Sequence, residues 1–314
     1  MKTENPSTQF EMWKKKKKPS KPDQRTKCQE VPKSVLKEKR LTLLVDLDQT
    51  LIDSQEDYDG PSSKDLFRIE SKDSGHYTIK VRPSCREFLE SMSKLYVLYM
   101  VTLATRKYAL AILKHIDPEG RLFQGRVVTR GQLGDNYVKT KNLKKLFPLG
   151  LDYAAILDDR QDAWGDMTNV VQLKQYRFFE DGEDEPVLKN MERVLSQVHT
   201  IFYDHHELTG ELFLVSDIVS KLRKNVLDGL KVAIIAKGKE SSRAGVRRTL
   251  VRFGADVQKV VTPETTVALG LSNMKKMDVV RSSGVPVVSV KWLEAVLTMW
   301  KRPDFERFIV ERSC

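Results

Sequence analysis

The stretch LTLLVDLDQTLIDS, Leu41 to Ser54, opens with a run of apolar residues that reads as a buried strand and then sets Asp46 and Asp48 where the strand should end. Side chains alternate faces along an extended strand, so the spacing predicts both carboxylates on one side with Leu47 turned into packing. In open α/β sheets ligands collect at the carboxyl ends of strands, and that is where this pair falls. Two carboxylates in a partly dry site repel one another, and one takes up a proton unless a cation lies between them. With oxygen donors only and no Cys or His cluster beside them, magnesium is the expected cation.

Outward from this stretch, short apolar runs follow at Tyr77–Val81, LYVLYMVT, Arg126–Thr129, Tyr153–Asp159 and Val170–Leu173, separated by amphipathic stretches such as CREFLESMSKL and RKYALAILKHI. Apolar strands alternating with helices predict an α/β domain, doubly wound with a largely parallel sheet, over residues 41–179. The acidic EDGEDEP and two helical patterns, LKNMERVLSQVHTIFYD and VSDIVSKLRKNVL, make 180–224 an acidic loop and helical linker. A second α/β pattern of independent size then occupies 225–314.

The chain has 314 residues and a formal charge of +11. Residues 1–40 carry 13 Lys and Arg against 5 Asp and Glu, a net +8, so little excess charge remains for a nucleic-acid groove elsewhere. This basic tail contains Lys14–Lys18, shows no apolar periodicity and is expected to be disordered. It suits an import signal, a polyanion-binding arm or a solvated tail. Cys28, Cys85 and Cys314 form no paired spacing, and the apolar run Leu95–Ala104 is too short to cross a bilayer. Together these predict a soluble intracellular protein with no membrane partner. AKGKES lacks the glycine and hydroxyl pattern of a phosphate-cradling loop, and the adjacent histidines of DHHEL would point apart on a helix.

A second acidic pair, Asp158 and Asp159, closes the later strand. A carboxylate held beside a cation can attack phosphorus, and a neighbour two residues on can protonate the leaving oxygen and later activate water. The motifs VDLDQTLI, IKVRPSCREFL, VTLATRKYA, HIDPEGRLF, KTKNLKKLFP and ILDDRQDAW, in that order, resemble those of the FCP-homology RNA polymerase II C-terminal-domain phosphatases, within the haloacid-dehalogenase type. That resemblance implies Asp46 as nucleophile and Asp48 as general acid and base. It also implies a Mg2+ ion held by Asp46, Asp48 through its carbonyl, and Asp159. Thr102 would hold a phosphoryl oxygen, with Ala104 standing where the family has glycine.

The family lysine is assigned to Lys141 by its distance from the following LFP, with Lys139 the alternative. Asp158 would orient that lysine or a metal-bound water. Thr50, Arg82 and Asp117 are the expected substrate contacts, although Arg82 also reads as a surface arginine and Asp117, before Pro118, as a helix-ending turn residue. Trp164 reads as core. RFGADV and VPVVSVKWLEAVLTMW resemble a BRCT domain, whose phosphate-binding hydroxyl is replaced by AKGK at 236–239, leaving Lys275 and Lys276 as the cations there. The implied substrate is the phosphorylated heptad-repeat tail of RNA polymerase II; the alternatives are a phosphatase for another phosphoprotein and a catalytically weak phosphopeptide-binding scaffold. The implied location is the nucleus, with general transcription factors as further partners and no requirement for nucleic-acid binding.

Overall fold

The computed structural model describes residues 33–310 except 64, 72–74, 135–137, 148–149, 183–185, 236–239, 272–279 and 281–283. Residues 1–32 of the basic tail, the AKGK segment, Lys275 and Lys276 therefore lie outside the described residues, whereas Lys33–Glu38 of that tail form a helix whose Val35 and Leu36 pack against the core, against the expectation of disorder there. A short helix α1 (Lys33–Glu38) precedes strand β1 (Leu41–Val45). An insert of three strands follows: β2 (Ile52–Glu56), β3 (Leu66–Ser71) and β4 (Gly75–Val81). Helix α2 (Cys85–Leu95), β5 (Tyr96–Val101), helix α3 (Arg106–Ile116), β6 (Val127–Val128), α4 (Arg130–Leu133), α5 (Thr140–Leu146), β7 (Ala154–Asp158) and β8 (Val170–Gln172) complete the first unit.

The main sheet is parallel throughout, in the order β6-β5-β1-β7-β8. β1 lies at its centre because Leu41, Leu43, Leu44 and Val45 are all buried, so both faces and both edges need cover. From β1 the chain goes first to β5 and β6 on one side and later to β7 and β8 on the other. That reversal opens a crevice at the carboxyl end of β1, between β5 and β7.

The run Tyr77–Val81 belongs to a different sheet from the one its sequence suggests. β4 pairs antiparallel with β2 and β3 in a separate three-stranded sheet, order β2-β4-β3. β2 and β4 are held by a ladder from Ile52↔Val81 to Glu56↔Tyr77, and the polar character of IDSQE left β2 without a strand signature.

After α6 (Phe178–Asp181), helices α7 (Val187–Thr209) and α8 (Val215–Lys224) occupy the segment read as a linker. Both are structural: Leu188, Met191, Leu195, Val198 and Phe202 of α7 and Val215, Ile218 and Val219 of α8 are buried. The C-terminal unit follows with β9 (Lys231–Ile235), α9 (Glu240–Arg252), β10 (Asp256–Gln258), β11 (Val267–Gly270), β12 (Val287–Ser289) and α10 (Val290–Met299). Its sheet is parallel in the order β10-β9-β11-β12, so a doubly wound α/β unit is followed by a second, smaller α/β unit.

One hydrophobic cluster runs through both units, from Leu41 and Leu98 through α7 to Phe253, Trp292 and Trp300. At the junction Gly254 takes φ +99°, and a Cβ there would fall 1.8 Å from the carbonyl oxygen of Lys224. Only glycine lets the two backbones approach so closely.

Candidate active site

The loop after β1 is tight rather than extended. β1 ends at Val45, the amide of Leu51 donates to the carbonyl of Leu47 at 2.9 Å, and Gln49 takes φ 61°. The alternation argument therefore does not place the two aspartates together, and they make different contacts. Asp46 donates its amide to the Leu157 carbonyl of β7 at 3.0 Å and turns its carboxylate toward β7. Asp48 turns toward β5 and α3, where it accepts from Tyr108 Oη at 2.9 Å and Thr102 Oγ1 at 3.3 Å.

The ammonium group beside Asp46 belongs to Lys139, which corrects the assignment of Lys141. Lys139 is the N-cap of α5, and its amide donates to the carbonyl of Ala163 at 2.7 Å, fixing the start of the helix against the 3-10 turn Asp162–Trp164. Its Nζ donates to Asp46 Oδ1 at 2.5 Å and to Asp158 Oδ2 at 2.7 Å, and it is 3 % exposed. Distance from LFP chose the wrong lysine because α5 starts only at Thr140, leaving Lys139 on the entering turn that faces the crevice. Lys141 lies within α5, and its side chain is outside the described residues.

Asp158 is buried and fully engaged. Oδ1 accepts from the amide of Arg160 at 2.7 Å, and Oδ2 also accepts from Trp164 Nε1 at 2.7 Å. Asp159 exchanges two bonds with Thr50, whose Oγ1 donates to Asp159 Oδ1 at 3.3 Å and accepts from the Asp159 amide at 3.2 Å. Asp159 Oδ2 is buried with no hydrogen-bond partner among the described residues.

Charge follows from this packing. Burial, reinforced by the nearby Asp158, pushes the Asp46 carboxyl well above its ordinary value, against the pull of Lys139. Burial and Asp158 likewise push Asp159 up to about 6. Burial raises Asp48 too, with Tyr108 and Thr102 opposing it. Burial alone would lower the pKa of Lys139, but Asp46 and Asp158 outweigh it and hold the ammonium charged.

One carboxylate oxygen from each of Asp46, Asp158 and Asp159 lies within 4.8 Å of the others. Fully ionised, these three with Lys139 leave two negative charges in a dry crevice, the charge of one divalent cation. A hard cation takes oxygen donors, and the partnerless Asp159 Oδ2 is the atom such an ion would satisfy. The donor set fits magnesium.

The remaining expected contacts are distributed differently. Thr50 and Thr102 are in the crevice, bonded to Asp159 and Asp48. Arg82 is 1 % exposed; its guanidinium donates to the carbonyls of Thr50 at 3.0 Å and Lys174 at 2.8 Å and lies over the Tyr176 ring. It braces the loop after β1 from behind, which corrects its reading as a substrate contact. Asp117 is corrected as well. It is the C-cap of α3, its carboxylate accepts from the amides of Leu122 and Phe123, and it closes the turn that follows.

Two contributors lacked a sequence signal. Trp164 is core by burial, yet its indole N–H holds Asp158 and its ring lies 5.4 Å from Lys139 Nζ. Tyr108 reads as an apolar residue of RKYALAIL, but α3 is capped at Thr105, whose side chain accepts from the Tyr108 amide. The phenol is thereby aimed at Asp48.

Carboxylates and one ammonium around the switch point of a parallel sheet define a carboxylate-centred α/β phosphatase domain. The family model for NLI interacting factor-like phosphatases matches residues 41–205, more than half of the chain, and the chain belongs to that family. It is 33% identical over 306 residues to a Caenorhabditis elegans RNA polymerase II C-terminal domain phosphatase, covering 88% of this chain and 46% of that protein. The human protein of the same name is 38% identical over 148 residues, 46% of this chain and 15% of its own length. The chain thus spans less than half of either relative. A solved structure of the fission yeast RNA polymerase II CTD phosphatase Fcp1, a variant bound to beryllium fluoride, superposes with a TM-score of 0.74 at 25% identity. That likeness covers 89% of this chain and 98% of the solved one, so it includes both units.

Proposed function

We propose that the chain is a magnesium-dependent protein-serine phosphatase that acts on the heptad-repeat tail of RNA polymerase II through an aspartyl-phosphate on Asp46. The observation that carries the reading is the buried set of Asp46, Lys139, Asp158 and Asp159 with one carboxylate oxygen left unpartnered. The named activity of the relatives supplies the substrate class, and the nucleus and contact with general transcription factors go with that substrate.

Asp46 uses the oxygen that Lys139 does not hold to attack phosphorus. A phosphorus–oxygen bond forms to Asp46 as the bond to the serine oxygen breaks, and Asp48 delivers its proton to that leaving oxygen. A raised carboxyl pKa suits Asp48 to holding this proton, and Tyr108 and Thr102 fix its orientation. In the second half Asp48 takes a proton from water, the water oxygen bonds to phosphorus, and the Asp46 carboxylate leaves as inorganic phosphate is released. Lys139 stabilises charge on the transferring group while Asp158 and Trp164 hold it in place. Asp46, Asp159 and the Asp48 carbonyl would hold a magnesium ion, which would supply charge neutralisation to the phosphoryl oxygens.

Purified protein is expected to release phenolate from p-nitrophenyl phosphate with magnesium, and to lose that activity with EDTA or Asp46→Asn. An inactive wild-type protein, or an Asp46→Asn variant that retains its rate, overturns the reading. Singly phosphorylated heptad peptides then test the substrate.

A further inference from the structure

A cavity of about 430 Å³ extends from Asp159 to the C-terminal unit and is bordered there by Arg248, Arg252 and Glu294. Arg248 and Arg252 stand four residues apart on α9, so their guanidinium groups share one face of that helix. Neither has a hydrogen bond or ion pair among the described residues. Arg248 is exposed and Arg252 half-buried.

The carboxylates nearby do not answer them. Asp162, on the same cavity, is taken by Arg160 at 2.6 Å, and Asp162 and Asp166 reach Arg252 only at a distance. Asp181 and Glu294 also border the cavity without bonding to either arginine. Behind the pair lies a third arginine, Arg223, buried at 4 % exposure. It donates to Gln161 Oε1 and to the Val170 carbonyl, both at 3.1 Å, while its Nε is buried without a partner among the described residues. Burial, with Arg252 adding to it, pushes Arg223 down to about 10, and burial with Arg248 lowers Arg252. Arg248 and Arg252 thus border the cavity with no described carboxylate bonded to either and with Arg223 near enough to add like-charge repulsion, which an anion bound between the two guanidinium groups relieves.

We propose that Arg248 and Arg252 form a second anion subsite, which binds a phosphoryl group carried by the substrate peptide a few residues from the one at Asp46. This inference rests on the phosphatase reading for the identity of the peptide, and it deepens that reading by naming what the C-terminal unit selects. Three residues of extended peptide span about 10 Å, and this is the spacing that the doubly phosphorylated test peptide carries. Arginine suits the task because its planar fork pairs with phosphate oxygens in bidentate fashion.

The test compares two labelled heptad-derived peptides, one with a single phosphoserine and one with two phosphoserines three residues apart. Binding is measured by fluorescence anisotropy in EDTA, where no turnover competes, and hydrolysis of p-nitrophenyl phosphate is measured separately with magnesium. Wild-type protein should bind the doubly phosphorylated peptide about tenfold more tightly, a difference of about 1.4 kcal/mol. Arg248→Gln/Arg252→Gln should remove that preference while the p-nitrophenyl phosphate rate stays within about twofold, since that small substrate reaches only the first site.

Arg248→Glu alone, on an exposed position, should reverse the preference, which guards against a folding defect in the double variant. Arg248→Lys/Arg252→Lys should recover part of the preference. No preference in wild type, or a preference that survives Arg248→Glu, overturns the subsite. If wild type fails to hydrolyse p-nitrophenyl phosphate, the catalytic reading falls, while the anisotropy comparison still decides for or against the second subsite.

Discussion

Replacing Lys139 by methionine removes the one ammonium that bridges Asp46 and Asp158 while keeping an unbranched stem of similar length against Trp164. Two short charge-assisted bonds are lost, and two carboxylates buried to 5 % exposure or less are left facing each other. Breaking a buried ion pair from one side costs about 3–5 kcal/mol, because the remaining charge has no compensation. The chain can reduce that cost only by protonating a carboxylate. Asp46 already sits well above its ordinary value through burial and Asp158, and losing Lys139 raises it further.

The sign of the pH effect follows. In the metal-free variant the folded state binds more protons than the unfolded one over the range between the ordinary carboxylate value and the raised one. Stability therefore falls as pH rises through that range. Urea unfolding in EDTA should show Lys139→Met closer to wild type at about pH 5 than at about pH 7.5. With saturating magnesium its turnover of p-nitrophenyl phosphate should fall by about 10²–10³, the usual loss when one preorganised charge-stabilising donor is removed. Lys141→Met is the comparison and should keep most of the activity. The reasoning is refuted if Lys141→Met loses activity while Lys139→Met keeps it, or if the stability deficit of Lys139→Met does not depend on pH.

Three further outcomes follow from the same geometry. Tyr108→Phe removes a donor that opposes the burial-raised pKa of Asp48, so the carboxyl should rise and the basic limb of the pH–rate profile should move to higher pH, with kcat at its optimum reduced about tenfold. Metal-free wild-type protein should melt at a higher temperature at about pH 5 than at about pH 7.5. Asp159, raised to about 6, is protonated in the folded state at the lower pH, and added magnesium should therefore raise the melting temperature more at about pH 7.5 than at about pH 5. Gly254→Ala would force a Cβ to within 1.8 Å of the Lys224 carbonyl oxygen at φ +99°, and soluble yield and urea midpoint should both drop, by about 3 kcal/mol or more in stability.

The sheet was legible where its strands are covered on both faces. β1, β5 and β7 carry mostly apolar runs because they are covered on both faces, and those runs also locate Asp46, Thr102 and Asp158 at their carboxyl ends. Of the insert only β4 was legible, through Tyr77–Val81, and its separate sheet was not; β2 turns Ser54, Gln55 and Glu56 outward and so lacks the alternation that marks a strand. Lysine choice failed for a local reason: sequence distance counts residues, whereas the ammonium that reaches Asp46 is fixed by the backbone bond from Lys139 to Ala163. Arg82 shows the opposite limit. An arginine beside a proline reads as surface or ligand contact, and only three-dimensional packing supplies the two carbonyls and the Tyr176 ring that hold it inside.

The C-terminal unit bears on the reaction centre through bonds as well as through shared core. Trp300 Nε1, at the end of α10, donates to the carbonyl of Gln172 at 2.7 Å, and the side-chain amide of the same Gln172 donates to the carbonyl of Asp159 at 3.0 Å. Arg223 of α8 grips Gln161 and Val170, so the strand that contains Gln172 and the turn that follows Asp159 are both held from the C-terminal side. Gly254 seals the end of α8 against the unit that follows it. The carboxylate with the unpartnered oxygen thus depends on the second unit for the position of its backbone. The same unit supplies the two arginines that face the cavity beside it. A module that holds the backbone of Asp159 through Gln172 and lines the cavity beside it is placed to influence the reaction centre.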